Sequence, residues 1–214
     1  ILPDNKEFYE EKYDPILKNK SSLKQSTRET GIMKLMRVNL LKRLESSVES
    51  FRITLTKLDN NISKTLKAID SFNKGGTGDI KGVDLSNFKE GDIEDEDFDI
   101  GFNIGTKIKI HLADMDVLSW ERELNHDHKI ISGLLEEVKK ITPTKDSKLN
   151  NLIKLIENKI ENPINGNNRK VLIFSAFADT VHYLYEHVSD YFLKKHELHS
   201  ASVSGSGSNK TTMD

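Results

Sequence analysis

The residue types best suited to chemistry lie mostly in the C-terminal half of the chain. Gly205-Ser206-Gly207-Ser208-Asn209-Lys210-Thr211 approaches a phosphate-gripping loop, in which glycines let successive backbone amides point at an anion. Asn209 stands where such a loop needs its second glycine and Ser204 where it needs the first, so the expectation is a connecting loop after a strand. His126-Asp127-His128 offers two imidazoles and a carboxylate. Successive helical residues point about 100° apart and no further ligand set accompanies them, so a metal is not expected there. His182, His187, His196 and His199 read as solvated or core histidines. Ser175 follows an apolar run, but a nucleophilic serine needs an exposed elbow flanked by glycine, and its neighbours are Phe174 and Ala176. The chain alone therefore carries no expected catalytic residue, cofactor site or metal site.

Charge offers a different kind of chemistry. The formal net charge is -2, but the charges are segregated. Between Pro15 and Leu44 lie Lys18, Lys20, Lys24, Arg28, Lys34, Arg37, Lys42 and Arg43 against the single acid Glu29. If they share a face, they suit a phosphate backbone; if not, they are an ordinary solvated surface. Arg37, Lys42 and Arg43 are the candidate contacts. Glu90, Asp92, Glu94, Asp95, Glu96, Asp97 and Asp99 form an acidic run without a base. That run reads as a disordered loop, or as a segment lying over the basic face in competition with nucleic acid.

Long helices must position these groups. Leu41, Leu44, Val48, Phe51, Leu55, Leu58, Ile62, Leu66 and Ile69 recur at steps of three and four, which predicts one helix from about Arg28 to Phe72. At 1.5 Å per residue it would be on the order of 65 Å long, a projecting arm. Leu118, Leu124, Ile131, Leu134, Leu135, Val138 and Ile141 predict a second helix from Asp116, a suitable cap, to Ile141 before Pro143. The two would form a long antiparallel hairpin with Trp120 packed at its base. Residues 73–105, rich in glycine and acid, would be a mobile connection, and Thr106 to Leu112 alternates as a short edge strand or extended linker. A third helix is expected from about Lys145 to Asn162, with Leu149, Leu152, Ile153, Ile156 and Ile160 on one face.

The last segment switches pattern. Lys170-Val171-Leu172-Ile173-Phe174-Ser175 predicts a buried parallel strand. Val181, Leu184, Tyr185, Val188 and Phe192 then predict a helix, and His199 to Val203 a second strand. The fold class is therefore mainly α with a small α/β part, the hairpin followed by an incomplete parallel β-α-β unit. The expected division is 1–144 for the helical arm and 145–214 for the α/β part.

Two motifs carry a resemblance. Asp146-x-Lys148-Leu149-x-x-Leu152-x-x-Leu155 followed by Lys170 to Leu184, and upstream Arg37 to Ser47 with Phe51 and Leu55, resemble the inter-lobe helix and the opening of the second RecA-like lobe in Swi/Snf-type superfamily-two helicases of the bacterial RapA-like branch. The resemblance implies a central piece of an ATP-dependent translocase on double-stranded DNA. ATP and Mg would belong to the parent protein and not to this piece. It also implies backbone contacts from Ser175 and Phe177, whose residue-based alternative is a helix-start serine and a core phenylalanine. The arm would couple the lobes or touch a partner such as RNA polymerase. The phosphate loop and acidic metal motif of the first lobe and the arginines late in the second are not in this chain, and its first residue is Ile1, which points to a piece of a longer protein. A different reading is a non-enzymatic helical adaptor whose stripe pairs with another protein.

Composition limits the remaining classes. Cys is absent, which removes disulfides and thiolate metal sites and fits a cytoplasmic location. No apolar run approaches the roughly 20 residues of a membrane-spanning helix, so no membrane partner is expected.

Overall fold

A computed structural model of the chain describes residues 7–8, 11–12, 25–75, 112, 115–164, 166–205 and 209–213, the side chains of residues 25–30 and of Ile32 excepted. The described part is mainly helical, with one small antiparallel sheet. Its elements are α1 (Gln25–Ser46), α2 (Val48–Asn73), α3 (Val117–Lys139), a 3-10 turn (Pro143–Lys145), α4 (Ser147–Glu161), α5 (Ala178–His196), β1 (Ala201–Ser202) and β2 (Lys210–Thr211). Lys18, Lys20, Lys24, the acidic run, most of the expected mobile connection and the expected strand up to His111 lie outside the described residues.

The chain divides into two compact units, each assembled from two stretches of sequence. The first comprises Ile1–Leu41 and Leu55–Leu135; the second comprises Lys42–Thr54 and Glu136–Asp214.

In the first unit, α2 and α3 pack antiparallel. Asp59 meets Ser132, Ser63 meets His128 and Asn73 meets Glu121, so one residue number falls as the other rises. Leu55, Ile69, Leu112 and Leu135 are buried. Asp116 caps the start of α3 as expected, its carboxylate accepting from the Ser119 amide at 3.1 Å. The Ser119 side chain, and then that amide, hold the carboxyl below its usual range.

The expected single helix from Arg28 to Phe72 is interrupted at Ser47. The break has a local cause, since serine hydroxyls compete with the helical ladder. Ser47 Oγ accepts from the Ser50 amide at 3.1 Å, the bond of an N-cap residue starting a new helix. The ladder around the break is not lost, because the Ser47 amide still donates to the Arg43 carbonyl and its carbonyl accepts from Phe51.

The second unit is built on α4 and α5. Asp146 caps α4 by accepting from the amides of Lys148 and Leu149. Ile156 and Ile160 of α4 bury against Phe192 of α5, with Leu152, Ile153, Val188, Tyr191 and Leu198 around them. A fully buried side chain of this size contributes ~1.5 to 3 kcal/mol from leaving water. Helix α5 ends on Glu197 in the left-handed conformation, whose amide donates to Leu193 while that of Leu198 reaches back to Phe192, a closing pattern that satisfies the last carbonyls.

The expected strand at 170–175 is corrected. Lys170 to Ser175 form no strand, and Leu172 and Phe174 are 83% and 90% exposed. The expected second strand narrows to β1, which pairs antiparallel with β2 through Ala201 with Thr211 and Ser202 with Lys210. An apolar run of this kind suits a parallel strand covered on both faces, and the sheet among the described residues has only two short antiparallel strands.

Candidate functional site

The second unit contains a polar joint assembled from residues far apart in sequence. The Arg43 side chain leaves the last turn of α1, where a cation complements the helix dipole. Asp179 occupies the first turn of α5, where an anion is favoured for the same reason. The two meet at 2.8 Å with side chains only 7% and 18% exposed. The guanidinium also donates to Ser50 Oγ at 3.1 Å and lies 4.8 Å from the centre of the Phe177 ring. A hydroxyl cluster surrounds the pair. Ser46 Oγ and Ser47 Oγ lie 2.8 and 2.9 Å from Thr180 Oγ1, and Ser46 Oγ is 3.4 Å from Ser175 Oγ.

Two flanking contacts fix the same joint. Lys148 Nζ donates to the carbonyls of Glu45 and Ser46 at the end of α1, supplying a cation where the helix leaves its carbonyls unpaired. Asp146, capping α4 with one oxygen, accepts on the other from the Tyr183 hydroxyl at 2.9 Å. Burial, and then that carboxylate, push the tyrosine well above its usual pKa, so it stays protonated and donating.

Three of the sequence candidates, Arg43, Ser175 and Phe177, come together here. Arg43 and Phe177 are buried, so the geometry assigns them to the joint itself: the arginine is held by Asp179 and the ring lies under it. Ser175 is half-buried, and its hydroxyl accepts from the Phe177 amide at 3.2 Å, as the helix-start alternative expects. Arg37 and Lys42 are exposed on α1 and take no part. Sequence reading missed Ser46, Ser47, Asp146, Asp179 and Thr180 as contributors. The one available signal was a Ser-Ser pair inside an apolar stripe.

A cleft of about 260 Å³ opens beside the joint, with Glu49 and Arg52 on one wall and Asp179, His182 and Glu186 on the other. Arg52 donates to Glu49 and Asp179 is held by Arg43, so its charges are largely balanced internally. Among the described residues no group of three or more His, Asp or Glu side chains is placed to hold a metal ion.

Two further constellations contain the residue types of catalytic sites without their geometry. In the first unit, Ser63 Oγ lies 3.1 Å and Asp59 Oδ1 3.3 Å from His128, both at Nε2. A nucleophilic triad needs serine and aspartate on opposite ring nitrogens, so this is an interhelical clasp, extended by Ser132 donating to Asp59 at 2.9 Å. His126 and Asp127 are exposed and separate from it. In the second unit, the residues flanking Gly205 to Asn209 pair as antiparallel strands. A phosphate loop instead joins a strand to a helix whose amides face the anion, a different connection from this one. Comparison with protein-family models, curated proteins and solved structures finds no match.

Proposed function

We propose that this chain is a coupling segment of a nucleic-acid-dependent ATPase of the Swi/Snf-type helicase class, linking the helix between the two motor lobes to the start of the second lobe. The observation that carries the reading is that the two motifs resembling that class are packed on each other. Residues 42–54 from one and 175–183 from the other meet through Arg43–Asp179 and the Ser46, Ser47 and Thr180 hydroxyls. Nothing in the sequence requires the meeting of these residues, which are 133 to 136 positions apart.

On this reading the exposed run Val171 to Phe174 is the first strand of a RecA-like sheet whose neighbouring strands belong to the parent protein. ATP and Mg are bound elsewhere in that protein, and this segment neither binds nor hydrolyses ATP. Arg37 and Lys42, exposed on α1, supply contacts to the phosphates of double-stranded DNA. Fluorescence anisotropy with a labelled duplex tests the binding half: affinity should fall as salt rises, with a log–log slope of about -0.9 per phosphate contacted. Arg37→Glu and Lys42→Glu should each reduce that slope by about one. A duplex affinity that does not change with salt overturns it.

A second reading, a non-enzymatic helical adaptor, draws on Leu118, Ile130 and Leu134, large apolar side chains exposed on α3. It predicts a defined oligomer in light scattering and no salt-dependent affinity for duplex.

A further inference from the structure

Two helix faces of the first unit are exposed and opposite in charge. On α1, Lys34, Arg37, Val38 and Leu41 lie on one face, because steps of three and four keep residues on one side of a helix. Val38 and Leu41 are 48% and 66% exposed, and Met33 beside them is 54% exposed. On α3, Glu123, Asp127, Ile130 and Leu134 follow one another at steps of four, three and four and form a second stripe. Ile130 and Leu134 are 48% and 43% exposed. The four charged side chains are exposed as well, and among the described residues none of them enters an ion pair.

The order of residue types along the two stripes matches. Each begins with its charges and continues with its apolar side chains: two cations before Val38 and Leu41, two carboxylates before Ile130 and Leu134. Set parallel with Leu41 level with Leu134, the stripes place Lys34 level with Asp127 and Val38 within one residue of Ile130. Arg37 then lies ~4.5 Å further along the axis than Asp127. The antiparallel arrangement sets Lys34 against Leu134 and Leu41 against Glu123, which buries charges without partners at a cost. Pairing either stripe with its own copy brings like charges together when parallel and sets charge against apolar groups when antiparallel. Both faces are open within one chain, so the complement of each is a different molecule.

We infer that the Lys34–Leu41 stripe of α1 docks, in parallel, on the Glu123–Leu134 stripe of α3 in a second copy of the chain. The two surfaces differ, so the contact closes into a dimer where both chains exchange it and otherwise extends as an open row. A contact of two to three helical turns is smaller than the ~1,000 Å² of a stable interface, so a single one is weak and transient. Arg37 faces carboxylates in this pairing, and a duplex held at Arg37 competes with the second copy. The inference stands on exposure, residue order and charge within the first unit and is independent of the ATPase reading.

The test uses the full 214-residue chain, whose lack of Cys allows a single nitroxide at Lys129→Cys, an exposed position beside the α3 stripe. That chain, without isotope, is mixed with a chain whose methionine methyl groups are isotopically labelled, so only contact between molecules removes intensity. Each is held at about 0.5 mM, where mass action populates a weak contact. At about 50 mM salt the oxidised nitroxide should remove more than about half of the Met33 signal, and the loss should shrink near 1 M salt, where the Debye length falls to about 3 Å. Lys34→Glu with Arg37→Glu in the isotope-labelled chain should abolish the loss. Glu123→Lys with Asp127→Lys in the nitroxide chain should then restore it. All four positions are exposed and both new residues are good helix formers, so folding is kept. No loss at Met33 in the natural pair, a loss indifferent to the first reversal, or a failure of the second to restore it overturns the proposal. Absence of loss together with a duplex affinity lowered by the first reversal overturns it too and assigns the α1 face to phosphate.

Discussion

Two polar seams in this molecule use similar side chains under different conditions. In the first unit, Asp59, Ser63, His128 and Ser132 clasp α2 to α3 where His128 is 37% and Asp59 25% exposed. In the second, Arg43 and Asp179 meet where they are 7% and 18% exposed and are ringed by Ser46, Ser47, Ser50 and Thr180. Water competes for the first set of contacts and screens its charges, so each contributes little. In the second, Arg43 is buried and Asp179 is mostly so on the wall of the cleft. The pair has lost most of its hydration, and each partner is costly to leave alone. The same kinds of groups are therefore dispensable in one place and obligatory in the other.

Asp179→Ala gives the largest expected effect, because Arg43 would then be buried without its carboxylate. The loss should be ~3 to 5 kcal/mol, measured by denaturant unfolding with a probe in the second unit. Replacing both partners by apolar residues of similar volume, Arg43→Met with Asp179→Leu, should recover most of it. Asp146→Ala comes next: it removes the cap of α4 and leaves the buried Tyr183 hydroxyl without its acceptor, at ~2 kcal/mol together. In the first unit, His128→Ala should cost less than ~1 kcal/mol. A cost equal to that of Asp179→Ala would erase the contrast between the seams.

The smallest effect is one of pH. Glu157 accepts from Lys195 and from the Tyr191 hydroxyl, which hold its carboxyl below the usual range. A carboxyl whose pKa is lower folded than unfolded stabilises the fold above the unfolded value of about 4.3. That contribution is lost as pH falls through the lower, folded value. Lys195 is shifted upward by the same contact, so its contribution is full below its unfolded pKa and is lost only in strong alkali. Glu157→Gln should flatten the stability profile below about pH 4.5 by removing the small stabilisation present at neutral pH, while leaving stability at the acid limit nearly unchanged.

These contrasts explain what was legible in the sequence. The helices were, because a stripe such as Leu149, Ile153, Ile156 and Ile160 reports burial along one face directly, and Asp116 announces its helix start. The break at Ser47 was not, since the apolar stripe runs through it and only the hydroxyl contacts with Thr180 and Ser50 explain the new start. Val171 to Phe174 misled for the opposite reason: an apolar run states what a segment would bury but not whether neighbouring strands are present to cover it. Arg43 was read as a phosphate contact or ordinary surface, and Phe177 as a nucleic-acid contact or core; in the structure the arginine lies over the ring. Charge counts along a chain cannot distinguish an arginine offered to phosphate from one already held by a carboxylate from a distant helix.

The proposal that this chain is a coupling segment of a nucleic-acid-dependent ATPase, its two motifs joined by Arg43–Asp179, is tested most directly by ATP hydrolysis by the parent protein, with and without duplex DNA, for the natural protein and for Asp179→Asn. The account predicts hydrolysis stimulated by duplex in the natural protein and a stimulation at least about tenfold smaller in Asp179→Asn, the unstimulated rate being retained, a difference of about 1.4 kcal/mol in the coupled step. No duplex-stimulated hydrolysis by the natural protein, or equal stimulation in a folded Asp179→Asn protein, would contradict it.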